Sequence, residues 1–245
     1  MISPRMSYAS TRVQSRFGAL PDSQVWLSLS NAQNMAQFLQ IAGTSDMALW
    51  VRKLGPESSV HAIEISIREI FRQHTAEVRN WMPSIWHDAF DWFSLLPDLE
   101  PVNRLMTNES LPAWTRDDPF LSSLSGSETG WPISLLTNNV QESNRRKNPG
   151  QENSLQKNLA NHWRQIWEET WPAISRPDKK QMRHLIAFVP VSHWSASLLD
   201  KMIRFFRHNN GSPAGIFSYL VLVLTHLLRV RGELLIRAAF PGPER

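Results

Sequence analysis

The sequence predicts an all-α protein, a bundle of antiparallel amphipathic helices with a disordered central linker. Apolar residues recur three and four positions apart in most segments, and this spacing places side chains on one face of a helix. Pro or Gly follows most of these segments at short intervals, so neighbouring helices should be joined by short turns and run antiparallel. Alternating apolar and polar residues, which would indicate a strand, are confined to short runs such as Val189-Pro190-Val191, which contains Pro.

The N-terminal part shows helical spacing from its start. A long helix should begin after Ser58 or Ser59 and end before Pro83, because the residue before a proline avoids helical geometry. Ser84 is a candidate cap for the next helix, which Pro97 ends. The apolar faces of these helices are Ala9, Val13 and Phe17; Ala32, Met35, Ala36 and Leu39; Met47, Trp50, Val51 and Leu54; Ile63, Ile67, Ile70, Phe71, Val78 and Trp81; and Ile85, Ala89, Phe93 and Leu96.

Helical spacing resumes at Leu155 and continues to the last residues. Asp178 with Gln181 is similar to a capping box, Ser192 precedes a further amphipathic segment, and Gly211 should end that segment. Ser212-Pro213 should then start the last helix, with Pro in the first turn. The longest apolar run, Ile216 to Leu228, is shorter than the roughly 20 residues that a spanning helix needs, so we predict a buried core helix.

Composition changes between these two helical parts. Residues 119–154 are dense in Ser, Asn, Gly, Pro and Gln, and such a segment cannot bury enough apolar surface to offset the entropy of ordering it. The sequence therefore predicts an N-terminal helical bundle in residues 1–118, a flexible linker or loop in 119–154 and a C-terminal helical bundle in 155–245.

Charge is distributed unevenly along the chain. The net charge is +4, and the sequence shows −5 for residues 1–144 and +9 for residues 145–245. A basic half can bind nucleic acid, anionic lipid headgroups or an acidic protein. Because no nucleic-acid-binding motif is recognisable, we expect no nucleic-acid partner. The absence of Cys excludes disulfides and thiolate metal sites and fits a reducing compartment.

Motifs for catalysis and metal binding are missing from the sequence. It contains no Walker-type phosphate loop, no Gly-x-Ser-x-Gly elbow and no His-Glu-x-x-His helix. The pairs His74/Glu77 and His87/Asp91 share helix faces, but two ligands do not make a metal site, so local hydrogen bonds or solvated pairs are expected. We therefore predict no catalytic residue, no cofactor and no metal.

His226 and the Trp residues are the remaining side chains for which the sequence predicts an environment. His226 lies in the most apolar helix and should be a neutral, hydrogen-bonded histidine in the core or facing a partner. Most of the 11 Trp residues fall on predicted core faces. Trp26, Trp114 and Trp131 lie outside clear helical faces, and we predict that they contribute to an interface.

Three motifs, taken in their order along the chain, resemble the d/C subunit family of V-type and A-type rotary ATPases. The first helix carries Tyr8 and then Arg12-x-x-x-Arg16 beside its apolar stripe, with Arg5 on the same edge. The second motif is Glu64 to Arg72 (EISIREIFR), and the third runs from Tyr219-Leu220 through Val230-Arg231. The chain is shorter than full-length members, which are built as a three-fold repeat of helices. It also lacks an Asp-x-x-Asn-Leu-Lys segment after Phe93 and carries His226 where the family has an acidic residue.

The resemblance implies a non-catalytic central-stalk subunit that links the stalk to the membrane ring and couples ATP hydrolysis or synthesis to proton or sodium transport. Its partners would be other subunits of the rotary ATPase, and it would be cytoplasmic, peripheral to the inner face of the membrane through those partners. The residues 1–20 lack the apolar run of a secretory signal, which fits this expectation. One candidate contact is Arg5, Arg12 and Arg16, and a second is Arg229 and Arg231.

Two other functions remain open from the sequence. One is a helical protein–protein adaptor unrelated to rotary ATPases, which would need the same amphipathic helices and exposed charges. The other is a helical enzyme whose site the motifs do not reveal.

The missing phosphate loop gives a first prediction. The purified chain should show a far-UV circular dichroism spectrum dominated by helix and no heat of binding when titrated with ATP and magnesium. Tight ATP binding by the isolated chain, or a spectrum dominated by strand, would contradict this prediction.

Overall fold

A computed structural model describes residues 3–106, 109–125, 152–186, 188–189 and 196–240. Within these ranges every regular element is a helix, which confirms the all-α prediction. Three single turns of 3₁₀ helix, Ser84–Trp86, Leu96–Asp98 and Ala113–Arg116, connect α-helices. The α-helices are α1 (Pro4–Gly18), α2 (Ser23–Ser30), α3 (Met35–Gly43), α4 (Ala48–Val51), α5 (Val60–Trp81), α6 (His87–Phe93), α7 (Leu99–Met106), α8 (Pro119–Ser125), α9 (Glu152–Glu169), α10 (Arg176–Ile186), α11 (Ala196–His208) and α12 (Pro213–Ala239).

Helix α12 lies at the centre of the fold. Helices α1, α3, α5, α10 and α11 all pack against it, and its side chains are buried from Pro213 to Leu227. By length and composition it is the one helix of the described residues that could cross a membrane, and 89% of its apolar window is buried within the chain. The apolar run predicted as a core helix is therefore covered by neighbouring helices.

Most helix ends follow the predicted capping chemistry. The Ser59 side chain accepts the Ala62 N–H at the start of α5, and the Ser212 side chain accepts the Gly215 N–H at the start of α12. Helix α5 ends at Trp81 because Met82, which precedes Pro83, is extended. Gly211 takes a positive φ of 84° between α11 and α12, a conformation that glycine adopts without steric cost.

Two caps differ from the prediction. Ser84 begins a 3₁₀ turn instead of capping an α-helix, and its tighter winding buries Trp86 and leaves Ile85 66% exposed. At α10 the capping residue is Ser175, whose hydroxyl accepts the Asp178 N–H and donates to the Asp178 carboxylate. Asp178 is therefore the third residue of this helix and not its cap. Ser192 lies outside the described residues.

The two predicted bundles share a single hydrophobic core. Helix α12 of the C-terminal part packs against α1 and α5 of the N-terminal part, and α9 packs against α6 and α7. The indole N–H groups of Trp92 and Trp163 each donate to the other's backbone carbonyl, at 3.0 and 3.2 Å. Residues of both parts therefore contribute to one core, because α12 buries apolar side chains on all sides and needs neighbours from each.

The predicted linker, 119–154, begins with ordered structure. Its first seven residues form α8, because the Asp118 carboxylate accepts the backbone N–H groups of Phe120 and Leu121 at the helix start. Its last three residues lie in α9. The rest of the predicted linker, residues 126–151, lies outside the described residues.

One glycine of α12 allows the preceding turn to approach the helix closely. A Cβ placed on Gly215 would lie 2.3 Å from the carbonyl oxygen of Asn209 and 2.9 Å from its carbonyl carbon. These are backbone atoms, so the turn would have to move to accept any side chain. Gly232 of the same helix has no heavy atom within 4 Å of such a Cβ.

These two glycines form a matched pair for a stability test. Gly215→Ala should lower the free energy of unfolding by about 3 kcal/mol through overpacking against the turn. Gly232→Ala should raise it by up to about 1 kcal/mol because alanine has the higher helix propensity. Urea unfolding followed by circular dichroism measures both, and equal midpoints for the two variants would contradict the close approach at Gly215.

Candidate functional site

The five arginines predicted to bind partners divide into two groups. Arg5 and Arg12 are exposed on α1, and the Arg12 guanidinium lies 5.0 Å from the centre of the Trp81 ring. The other three have contacts within the chain. Arg16 pairs with Glu77 at 2.6 Å, Arg231 pairs with Glu64 at 2.5 Å, and the Arg229 guanidinium lies 3.9 Å from the centre of the Trp26 ring.

The internal contacts of Arg16 and Arg231 connect helices. The Arg16–Glu77 pair joins α1 to α5, and the Arg231–Glu64 pair joins α12 to α5. A guanidinium already paired with a carboxylate offers a partner only its remaining N–H donors, and its charge is largely neutralised. Arg16, Arg229 and Arg231 therefore have structural roles in the chain, and partner contact through any of the five arginines stays a prediction.

Charged side chains gather along one side of α5. The α5 charge cluster consists of three acids and three arginines, and Arg68 and Asp98 are at its centre. Arg68 bonds the Glu64 carboxylate one turn earlier, and its Nε lies 3.3 Å from Asp98 Oδ1. Arg72 lies 2.5 Å from Asp118 and 3.8 Å from Asp98. The six members are Glu64, Arg68, Arg72, Asp98, Asp118 and Arg231.

Aromatic rings cover two of the three arginines of the α5 charge cluster. The Arg68 guanidinium lies 4.0 Å from the centre of the Trp114 ring, and the Arg72 guanidinium lies 4.9 Å from the centre of the Phe120 ring. Stacking of this kind accommodates a guanidinium away from water. Trp114 is therefore buried, and the prediction of an interface role for it is wrong in this respect. Trp131, the third Trp of that prediction, lies outside the described residues.

The three acids of the cluster differ in the direction of their pKa shifts. Burial raises the pKa of Glu64, but hydrogen bonds and charges from Arg231 and Arg68 outweigh it, and the net pKa is lowered. Asp118 is also lowered in pKa, because Arg72 and the α8 backbone outweigh burial. Burial raises the pKa of Asp98 to about 6, and the charges of Arg72 and Arg68 only partly oppose it. Neither carboxylate oxygen of Asp98 accepts a hydrogen bond.

A second cluster combines two Trp–His pairs beside a small cleft. The Trp26 indole donates to His226 Nδ1 at 3.2 Å, and the Trp50 indole donates to His74 Nε2 at 3.0 Å. The rings of Trp50 and His226 lie 6.3 Å apart, so the two pairs are neighbours. The cleft has a volume of about 130 Å³ and is lined by Arg16, Leu49, Trp50, Arg52, Ile70, Gln73, His74 and Glu77.

Both histidines of this cluster are neutral hydrogen-bond acceptors. Burial, together with the Arg229 charge, lowers the pKa of His226 to about 4. Burial also lowers the pKa of His74, although the Glu77 carboxylate opposes it. The prediction of a neutral, hydrogen-bonded core histidine at 226 is confirmed. Trp26 is its donor and is buried, so the interface prediction for Trp26 is wrong.

The predicted His/carboxylate pairs do not form. His74 bonds Trp50 while Glu77 bonds Arg16, and Asp91 bonds Arg79 while His87 Nε2 is buried without a hydrogen-bond partner. The competing partners are indole and guanidinium groups from other helices or turns. Among the described residues no group of three or more His, Asp or Glu side chains could hold a metal ion.

Sequence spacing could identify only part of the charged cluster. Glu64 and Arg68 are four residues apart on one helix, which is a recognisable pair. Asp98 and Asp118 come from a 3₁₀ turn and a helix start far along the chain, and no spacing rule connects them to α5. In chemical terms the cluster holds helices together, because its cations and carboxylates neutralise one another.

The chain was compared with protein families, curated proteins and solved structures. No family model matches the chain, and neither a curated protein nor a solved structure matches it.

The opposite pKa shifts within the α5 charge cluster give a prediction. Glu64→Gln should lower the free energy of unfolding by about 3 kcal/mol, because it leaves Arg68 and Arg231 without their shared carboxylate. Asp98→Asn should cost less, about 1 kcal/mol, because burial already disfavours the charged form of Asp98. Chemical unfolding at neutral pH measures both free energies. An equal or larger cost for Asp98→Asn would contradict the conclusion that the cluster stabilises the charge of Glu64 more than that of Asp98.

The raised pKa of Asp98 also predicts a pH dependence. Native Asp98 keeps its proton up to a pKa of about 6, whereas the unfolded group loses it near 3.8. Its contribution to stability is therefore present in acid and is lost as pH rises through that interval. The free energy of unfolding of Asp98→Asn, relative to the unsubstituted chain, should rise as pH increases from about 4 to about 6. A flat difference would show that the native pKa of Asp98 is unshifted and a falling difference that it is lowered, and either result would contradict the prediction.

Proposed function

We propose that this chain is a non-catalytic coupling subunit of a V/A-type rotary ATPase, linking the central stalk to the membrane ring for ATP-coupled proton or sodium transport. One observation carries the proposal. The three segments that resemble the d/C family, far apart in sequence, lie on α1, α5 and α12, and these three helices pack against one another.

Charged residues of the three motifs form the contacts between these helices. Arg16 of the first motif pairs with Glu77, which lies on α5 just beyond the second motif. Glu64, at the start of the second motif, pairs with Arg231 at the end of the third. The order of motifs along the chain thus corresponds to a set of contacts in the fold, and this correspondence supports the resemblance.

A coupling subunit must also transmit torque without deforming. Arg237 connects α12 to α2 and α3. Its guanidinium donates to the backbone carbonyls of Leu29 in α2 at 3.4 Å and of Ala32 in the following turn at 2.9 Å, and it lies 4.8 Å from the centre of the Phe38 ring in α3. The Arg231–Glu64 pair connects the central helix to α5 as well, and the Arg16–Glu77 pair connects α1 to α5. A body braced in this way suits a mechanical role.

The first contact surface is narrower than the sequence predicts. Arg16 is paired with Glu77, whereas Arg5, Tyr8 and Arg12 are exposed on the N-terminal half of α1. Tyr8 is 53% exposed and its ring lies 5.9 Å from the Arg12 guanidinium. An exposed tyrosine beside two arginines is typical of an interaction surface. We propose that these three residues contact the stalk or the ring.

The second candidate function is a helical protein–protein adaptor unrelated to rotary ATPases. The observation that favours it is His226, which occupies the position where the family has an acidic residue. This histidine is buried, neutral and bonded to Trp26, so it cannot supply the missing carboxylate charge.

Charge reversal at the α1 surface tests the proposal. Arg5→Glu with Arg12→Glu should reduce co-purification of the ATPase complex and ATP-driven ion pumping in membranes, because interface charges steer association. The fold should persist, since exposed substitutions cost within about 0.5 kcal/mol and the Arg12–Trp81 stacking adds about 1 kcal/mol at most. Arg52→Glu with Arg116→Glu is the matched control, because both residues are exposed on other elements.

The possible outcomes separate the two functions. Unchanged assembly and pumping in the α1 variant would remove this surface from the list of contacts. If deletion of the gene also left pumping intact, the coupling proposal would fail and the adaptor function would replace it. Arg16 is left unchanged in this test, because a glutamate there would face Glu77 and disturb the fold.

A further inference from the structure

Helix α11 exposes a stripe of positive charge. Its buried face consists of Met202, Phe205 and Phe206, which pack into the shared core. The opposite face carries Lys201, Arg204, Arg207 and His208, all exposed, with Asp200 as the one acidic side chain among them. Lys201, Arg204 and Arg207 are three residues apart and His208 is four residues after Arg204, so these positions share one side of the helix.

The cations of this stripe have no partner within the described part of the chain. Lys201, Arg204 and Arg207 form no ion pair there, in contrast to Arg16 and Arg231. Three solvated cations on successive turns of a helix repel one another, which lowers the stability of the helix, and no contact of the fold requires them. Their charge is therefore available to a partner.

Helix α10 extends this positive surface. Its exposed side carries Arg176, Lys179, Lys180 and Arg183, of which Lys179 and Arg183 pair with Glu168. The ring of His184 on α10 lies 5.5 Å from the ring of Phe205 on α11, so the two helices are adjacent. We call the exposed sides of α10 and α11 together the basic face.

The composition of the basic face favours one kind of partner. Specific protein interfaces centre on buried apolar anchors. The large apolar side chains that are exposed in the described residues, such as Tyr8, Leu49 and Phe240, all lie on other elements. The basic face thus offers cations without an anchor, and a surface of many weakly localised negative charges matches it best.

We propose that the basic face binds the anionic headgroups of a membrane surface directly. The contact is electrostatic, because the apolar side of α11 is buried in the core and cannot enter the bilayer. This goes beyond the proposed function, in which membrane association runs through partner subunits. It also gives a function to the cations that α10 and α11 contribute to the basic C-terminal part.

Vesicle co-sedimentation with the purified chain tests the inference. Vesicles of phosphatidylglycerol with phosphatidylcholine should bind the chain, vesicles of phosphatidylcholine alone should not, and high salt should release it. The triple variant Lys201→Gln, Arg204→Gln, Arg207→Gln should bind roughly 100-fold more weakly, since each cation near an anionic surface contributes roughly fivefold. The matched control is Arg52→Gln, Lys53→Gln, Arg116→Gln, which removes three exposed cations from other elements.

Each result decides the inference. Binding that is lost in the triple variant and kept in the control, with unchanged circular dichroism, supports it. No binding of the unsubstituted chain to anionic vesicles, or equal binding by both variants, overturns it. A third result is possible, in which the unsubstituted chain does not bind vesicles but the triple variant no longer co-purifies with the ATPase complex. The partner is then an acidic protein surface, and the lipid proposal fails. Since the vesicle assay uses the isolated chain, its failure leaves the coupling function to be tested separately.

Discussion

The carboxylate of Glu64 fixes the position of the central helix. It accepts hydrogen bonds from Arg68 of its own helix, α5, and from Arg231 of α12, which is 167 residues away in sequence. Helix α12 is apolar on nearly all sides over its first half, and apolar packing alone tolerates sliding and rotation. A buried carboxylate bound to two guanidinium groups favours the register in which both guanidinium groups reach it. The packing of α1, α10 and α11 on α12 depends on that register.

Burying this many charges is costly, and the fold limits the cost in three ways. The three cations of the α5 charge cluster equal the three carboxylates in number, so no net charge is buried when all six are ionised. The Trp114 and Phe120 rings cover the guanidinium groups of Arg68 and Arg72. Asp98, the carboxylate with the poorest contacts, has its pKa raised towards the neutral form. Asp98 is therefore the member of the cluster whose charge is stabilised least by its neighbours.

The arginines of this chain serve two purposes that sequence does not distinguish. Those whose side chains reach a carboxylate or an aromatic ring, such as Arg16, Arg229 and Arg231, hold helices together. Those on outward faces, such as Arg5, Arg204 and Arg207, leave their charge in solvent. The α1 surface and the basic face both contain cations of the second group. They also contain cations with contacts inside the chain: Arg12 lies over the Trp81 ring, and Lys179 and Arg183 pair with Glu168. Partner binding is accordingly proposed at places where several exposed cations lie together.

The sequence by itself determined the helices and most of their ends. Apolar spacing, the caps at Ser59 and Ser212, the stop before Pro83 and the positive φ of Gly211 are local properties, and each is decided by a few neighbouring residues. The uneven charge and the neutral state of His226 were likewise readable from composition and from the apolar run around that histidine.

Only the tertiary structure decided which helices share a core and which charges are neutralised. The sequence places Trp26 and Trp114 on no clear helical face, yet both are buried in the structure. Their partners, His226 and Arg68, are distant in sequence. The sequence predicts Arg231 as a partner contact, whereas in the structure Glu64 of α5 lies beside it and pairs with it. The physical reason is the distance along the chain over which each interaction acts. Helix formation and capping act over about four residues, whereas an ion pair or a stacked ring depends on where the whole chain brings its partner.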